Sequence, residues 1–278
     1  DRLFEIKALS TLPHVMTRVM AVVADSSSSA KDLAREIRSD QALTSRILKV
    51  SNSAYYGFHR KISNIDDAVV VLGFDEIRSL CLAITVLNMF NEDGSTYFDR
   101  RLFWRHSVVT AVLSEQLAEN YPEEKHQAFA AGLLHDMGRA VLDQYFPELF
   151  SKICIEVERR KVHWLQVERD MIGTDHCEIG RWVAERWNFP DSLTEAIGYH
   201  HHPAGSEQAP RLVGMIHLAD IISRRDLPEP PPGSMLPPLD KKVYDRVALS
   251  QERVEQLASS LENRSSGVQD LIDILASV

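Results

Sequence analysis

Cysteine is scarce in this chain: three residues in 278, at Cys81, Cys154 and Cys177. So few and so scattered, they exclude a disulfide framework and a zinc site built on cysteine. Basic residues are outnumbered, 31 Lys and Arg against 40 Asp and Glu, for a net charge of −9. Binding a phosphate backbone needs clustered Lys and Arg, so nucleic acid is not an expected partner. No apolar run approaches the ~20 residues that a bilayer-spanning helix needs, and no signal-peptide pattern is present. No membrane partner is therefore expected, and a reducing, cytoplasmic setting is the simple reading. Sustained period-two alternation is missing too. Val69-Val70-Val71 favours strand locally but is too short to carry a sheet.

What is present is a succession of helix signals in a chain of globular composition, 44% hydrophobic and 26% charged. Leu12 and Pro13 open an apolar-periodic stretch through Val15, Val19, Val22 and Val23 that stops at Asp25 and a run of serines. Ser29 followed by Asp32 predicts a capping box ahead of Leu33 and Ile37. Asp40 is placed to cap the next helix, whose buried stripe is Leu43, Ile47, Leu48 and Val50. Ser63 and Asp66 repeat the pattern before Ala68, Val69 and Leu72, with Gly73 where a helix C-cap belongs. Another apolar helix runs from Asp75 to about Phe90. Asn91 to Thr96 read as a boundary.

From Phe98 the helices continue around Ala128–Leu134, Phe150–Val157, Ile179–Trp187, Leu193–His201 and Leu212–Ile222. Residues 226–240 hold six prolines and predict an irregular connector. Beyond it come two amphipathic helices, broken near Asn263 to Gly267. The expected organisation is all-α. An N-terminal helical lobe (1–97) packs on a helical bundle (98–225), followed by the Pro-rich connector (226–240) and C-terminal helices (241–278) packing on the rest. The chain opens at Asp1 rather than Met, so a further segment upstream is expected.

Seven potential metal ligands fall in the second half: His106, His135, Asp136, His176, His200, His201 and Asp220. Imidazole and carboxylate donors in this number can hold one or two divalent ions, a common device for attacking phosphate esters. Adjacent helical residues diverge by about 100°, so His135 and Asp136 can converge on one ion only near a helix end. Gly138 is consistent with such an end. Asp220 sits among Ile216, Leu218, Ala219, Ile221 and Ile222, where an unpaired carboxylate would be costly to bury. His135 follows Ala130-Ala131-Gly132-Leu133-Leu134 and should point inward. His217, three residues before Asp220, lies on the same helix face and is placed to brace a ligand. His14, His59, His126 and His163 read as surface or cap residues, and His202 as lining the mouth.

The chain resembles the bacterial HDOD family, a branch of the HD-domain superfamily. The resemblance rests on Leu12-Pro13, Asp40-Gln41-Ala42-Leu43, Asn52 to Gly57 and Ala68 to Gly73 in the first half. In the second half it rests on Phe103 to Ser107, Ala131 to Arg139, Asp175-His176 with Gly180, Trp187 with Pro190, His200-His201 with Pro203, and His217 to Asp220. It implies a helical fold and a role in bacterial signal transduction through protein contacts, with an upstream receiver domain among the expected partners. The set is also similar to that of the HD-GYP phosphodiesterases. By that likeness His106, His135, Asp136 and Asp220 hold one ion. His176, His200 and His201 hold a second, with Asp136 bridging, and iron is expected ahead of nickel, zinc or manganese.

The alternative the likeness implies is a metal-dependent phosphohydrolase acting on a phosphate-containing small molecule. Asp136 would then bridge the ions and Arg139 neutralise a phosphate oxygen. Three departures weigh against that activity. Arg139 stands where those enzymes carry Lys, and Arg cannot serve as a metal ligand. The Gly-Tyr-Pro loop is absent, the chain reading His202-Pro203-Ala204-Gly205-Ser206. Leu102 occupies the place of an acidic ligand one turn before His106. Arg46, Lys49, Arg60, Lys61 and Arg78 cluster in the first half, but without a basic recognition helix they do not make a DNA-binding element.

Overall fold

The computed structural model of the protein describes residues 14–24, 28–90, 97–225, 239–263 and 265–276. Leu12 and Pro13, the stop at Asp25, the 91–96 boundary, most of the Pro-rich connector and Arg264 lie outside the described residues. Among those described there are sixteen α-helices, one 3-10 turn at Pro203–Gly205 and no strand. The all-α expectation holds.

Among the described residues of the first half there are five helices: α1 (His14–Ala24), α2 (Ala30–Arg38), α3 (Gln41–Ser51), α4 (Ile65–Leu72) and α5 (Phe74–Met89). The Ser29–Asp32 capping box is present in full at the start of α2. The Asp40 carboxylate accepts from the Leu43 amide at 2.9 Å, satisfying one of the amides that the first turn of α3 leaves without a partner. The cap of α4 is one residue later than the sequence pattern suggests. Asn64, not Ser63, accepts from the Asp67 amide, and its own amide donates back to the Asp67 carboxylate, both at 2.8 Å. Asp66 is left facing outward, where it pairs with Arg38. Gly73 closes α4 and opens α5 at φ +91°, a conformation that side chains disfavour. Val70 and Val71 are helical despite their β preference, because the Asn64 cap and the burial of Ile65, Ala68 and Val69 decide the segment.

The second half holds α6 (Arg100–Leu117), α7 (Pro122–Leu134), α8 (Met137–Tyr145), α9 (Pro147–Arg160), α10 (Trp164–Ile172), α11 (His176–Arg186), α12 (Asp191–Tyr199) and α13 (Pro210–Arg225). Helix α6 runs against α7 and α13, while α11 packs on α8 and α12. The segment 164–172, which the sequence reading passes over, is a helix. Its stripe of Trp164, Val167 and Glu168 is buried.

The last helices are α14 (Val243–Val247), α15 (Gln251–Asn263) and α16 (Ser265–Ala276). Helix α14 lies on α13, and α16 lies against α6 and α3. The Asp270 carboxylate of α16 accepts from the Ala54 amide at 2.7 Å. The two halves are tied by Tyr55, which donates to Glu115 of α6, while its neighbour Tyr56 donates to buried Glu76 of α5 at 2.6 Å. One hydrophobic core runs through both halves, each fully buried Leu, Ile or Phe contributing about 1.5–3 kcal/mol.

Candidate metal centre

The break between α7 and α8 falls on the pair His135-Asp136. His135 is the C-cap of α7 and Asp136 the N-cap of α8, so the two side chains escape the divergence of neighbouring helical positions. His106 arrives from α6, His176 and Cys177 from the first turn of α11, His200 and His201 from the end of α12, and Asp220 from α13. All seven sequence-predicted ligands are buried, none more than 9% exposed. The close approach of α8 to α11 depends on Gly138. A Cβ there would sit 1.9 Å from the His176 carbonyl oxygen, so any side chain would push His176 away from Asp136.

The side chains form two groups, in each of which the donor atoms lie within 4.8 Å of one another. In the first, His106 Nε2 is 3.3 Å from His135 Nε2 and 3.0 Å from Asp220 Oδ1. Asp136 Oδ2 is 3.5 Å from His135 Nε2 and 3.8 Å from His106 Nε2. The second group is His176, Cys177, His200 and His201. Asp136 serves both, since its other oxygen lies 3.2 Å from His176 Nε2 and 3.4 Å from His200 Nε2.

Hydrogen bonds fix which ring nitrogen faces inward. His135 Nδ1–H donates to the Gly132 carbonyl at 2.7 Å, and His200 Nδ1–H to the Ile197 carbonyl at 2.9 Å. His176 Nδ1–H donates to Glu168 at 2.6 Å. Ser223 spends its own proton on the Asp220 carbonyl and accepts from His106 Nδ1–H at 3.1 Å. A carbonyl or carboxylate on Nδ1 leaves the lone pair on Nε2, and this bracing is how metal-binding histidines are commonly held. Four Nε2 atoms thus converge on two carboxylates. Lone pair facing lone pair is repulsive unless protons or a cation lie between.

Two buried arginines, which the sequence reading did not place here as ion-pair partners, complete the electrostatics. Arg224 donates to Asp220 Oδ1 at 2.7 Å through Nε and to Asp136 Oδ2 at 2.9 Å through Nη2. Arg139 pairs with Asp136 Oδ2 at 2.9 Å and lies over the Trp164 ring. Burial would raise both carboxylates, but Arg139, His135 and Arg224 hold Asp136 well below the usual range, and Arg224 with His106 and His135 does the same for Asp220. Burial, helped by Arg224, pushes His106 down to about 4. Burial with the neighbouring His200 holds His201 well below its usual value. Against burial, Cys177 and Asp136 push His200 up to about 10.

The donor set fits a divalent ion. Tetrahedral bonds of ~2.0–2.1 Å put neighbouring donors about 3.3–3.4 Å apart, and the first group's spacings of 3.0–3.8 Å bracket that value. Asp136 Oδ1, Asp220 Oδ2 and both ring nitrogens of His201 are buried without a hydrogen-bond partner, and a cation would satisfy such atoms.

Around the donors, His217 Nδ1–H donates to the His200 carbonyl at 2.6 Å and so holds the backbone of the His pair. His163 caps α10 and its ring meets that of His201 at 5.0 Å, closer to the centre than a surface reading allows. His202 is exposed. Glu168, Cys177 and Arg224 are the participants that the sequence reading missed. The one available signal was spacing, since Arg224 follows Asp220 by a helical turn and Cys177 adjoins His176. Glu168 gave none, because its helix went unrecognised.

The HDOD domain pattern matches residues 9–203. A solved HDOD domain protein from Geobacter sulfurreducens superposes with a TM-score of 0.80 at 24% identity, covering 99% of each chain. A protein from Shewanella amazonensis, described provisionally as a phosphohydrolase, superposes at TM-score 0.78 with 25% identity over 98% of this chain and 97% of its own. Among curated proteins, an uncharacterized protein of Treponema pallidum is 24% identical over 222 residues, 79% of this chain. Ribonuclease Y of Deinococcus radiodurans is 28% identical over 119 residues, 43% of this chain. This chain spans 43% and 16% of the lengths of those two proteins. Among the described residues no helix is long and apolar enough to cross a membrane. With the matched stretch covering well over half its length, the chain belongs to the HDOD family.

Proposed function

We propose that this chain is a cytoplasmic signal-transduction module whose HD-type bundle holds one or two divalent ions in a closed centre, and that it works chiefly through contacts with other proteins. The observation that carries this reading is closure. Every donor is buried, and buried guanidinium groups already pair with the carboxylates, Arg224 with both and Arg139 with Asp136. Metal sites that stabilise a fold are closed, whereas catalytic ones keep a position open for water or substrate. His106, His135, Asp136 and Asp220 would hold one ion, and His176, His200 and His201 would attend a second, Asp136 giving one oxygen to each. Imidazole with few carboxylates favours iron, nickel or zinc over magnesium; iron is the first choice, and manganese is a further candidate.

The face offered to partners lies on the first half. Phe58, Val70 and Val71 are 41%, 84% and 47% exposed, beside Arg60 and Lys61, around a groove of about 230 Å³. An exposed apolar patch with a charged rim is a usual mark of a protein contact. An upstream receiver domain or another signalling protein suits it.

A second reading, metal-dependent phosphohydrolase, is favoured by the shared carboxylate and by the likeness to the Shewanella protein. Bound ions would supply charge for a phosphoryl transition state and acidify a water. Arg139 would have to leave Asp136 to meet a phosphate oxygen, and Asp136 would keep both donor groups in register. Elemental analysis of purified protein, beside a screen on cyclic dinucleotides, RNA and phosphomonoesters, separates the two. Metal present without turnover is the expected result. Cleavage on the order of 1 s⁻¹ or faster, lost in Asp136→Asn, overturns it.

A further inference from the structure

Cys177 is 6% exposed and stands at the second position of α11, next to His176. Its sulfur lies 3.8 Å from His200 Nε2, the same nitrogen that faces Asp136 Oδ1 at 3.4 Å. We propose that Cys177 is itself a ligand of the second ion, its sulfur joining His176 Nε2, His200 Nε2 and Asp136 Oδ1, with His201 alongside. The inference rests on the metal-binding reading above and adds a thiolate to it.

Three observations carry it. Tetrahedral bonds of ~2.3 Å to sulfur and ~2.0–2.1 Å to nitrogen put the two donors about 3.6 Å apart, close to the observed 3.8 Å. The Asp136 oxygen that faces this group has no hydrogen-bond partner, and neither ring nitrogen of His201 has one, all being buried. The sulfur also belongs to a group in which the donor atoms of His176, Cys177, His200 and His201 all lie within 4.8 Å of one another. On binding, the thiol gives its proton to solvent and the sulfur lone pair goes to the ion, with no change of oxidation state. A thiolate makes this group softer than the first, selecting zinc, iron or cobalt over manganese or magnesium.

The other cysteines provide the control. Cys81 lies in α5 and Cys154 in α9, and neither joins a donor group among the described residues. The apo-protein is titrated with Co²⁺ alone, reading bound metal by elemental analysis and the thiolate-to-cobalt charge-transfer band in the near ultraviolet. Wild type and the C81S/C154S variant are expected to show the band. In Cys177→Ser the band disappears and the second cobalt binds more than about tenfold more weakly, a loss at least as large as that for residues that only brace a ligand. The first ion is retained. Should Cys177→Ser fail to fold, the C81S/C154S protein decides, since Cys177 is then its single thiol. Two bound ions without a band, or a band that survives in Cys177→Ser, overturn the thiolate ligand while leaving the metal reading intact. A wild type that binds no cobalt removes both.

Discussion

The group of His106, His135, Asp136 and Asp220 carries its own counter-charges, whereas the group of His176, Cys177, His200 and His201 does not. In the first, Arg224 spans both carboxylates and Arg139 adds a second cation to Asp136, so the negative charge is neutralised whether or not an ion is bound. In the second, the main carboxylate support is Glu168 behind His176 and one oxygen of Asp136. The difference teaches that charge can be buried here without a cation other than arginine to balance it. The first group is neutralised by side chains alone, whereas the second leaves one oxygen of Asp136 and both ring nitrogens of His201 buried without a hydrogen-bond partner.

Acidification is the most drastic way to break the first group, because it removes both carboxylates together. Asp136 and Asp220 have folded pKa values held well below the usual range. Their stabilisation is therefore fully present above the unfolded value of about 3.9 and is lost as pH falls through the folded values. Urea midpoints of apo-protein should drop between pH 4 and pH 2, and drop less in Asp220→Asn. A wild-type midpoint as flat as that of the variant would show that these ion pairs do not matter.

Asp136→Ala comes next. It deprives Arg139 and Arg224 of a shared partner and both groups of a donor. Removing one member of a buried ion pair costs roughly 3–5 kcal/mol. Chemical denaturation should record that loss, and elemental analysis should find both ions gone. Retention of one full equivalent of metal would mean that the groups do not share this carboxylate.

Gly138→Ala sharpens the contrast by moving α11 alone. The added methyl meets the His176 backbone, and overpacking of this kind costs about 1–3 kcal/mol. The second ion should be lost and the first kept. Equal loss of both would make the spacing of α8 and α11 irrelevant to the distinction.

Glu168→Gln touches only the brace on His176. Substitutions of that kind weaken metal binding by about 10–100-fold, and the effect should be confined to the second ion in a competition titration. The smallest effect belongs to Asp40→Ala, which removes the cap of α3 far from either group. It should lower stability by ~1 kcal/mol with metal content unchanged, and any change in metal content would couple the first half to the centre.

Much of the fold was legible because its signals are local. The Ser29–Asp32 box and the Asp40 cap need only neighbours three residues away, and the apolar stripes of α2, α3, α7 and α13 need only the helical period. Where two polar residues competed for one cap, as Ser63 and Asn64 did, the pattern alone could not choose, and the cap fell to Asn64, whose amide answers Asp67. Helix α10 was passed over, and with it Glu168.

The sequence by itself determined that the chain is helical and which histidines and aspartates could bind a metal, since residue type, helical period and motif order are all written along the chain. Tertiary structure alone decided that Arg224 lies across two carboxylates, that Glu168 braces His176, and that Cys177 comes within reach of His200 from a separate helix. Those contacts depend on how closely α8, α11, α12 and α13 approach one another. That distance is set by packing, down to the missing side chain of Gly138, and no spacing along the chain encodes it.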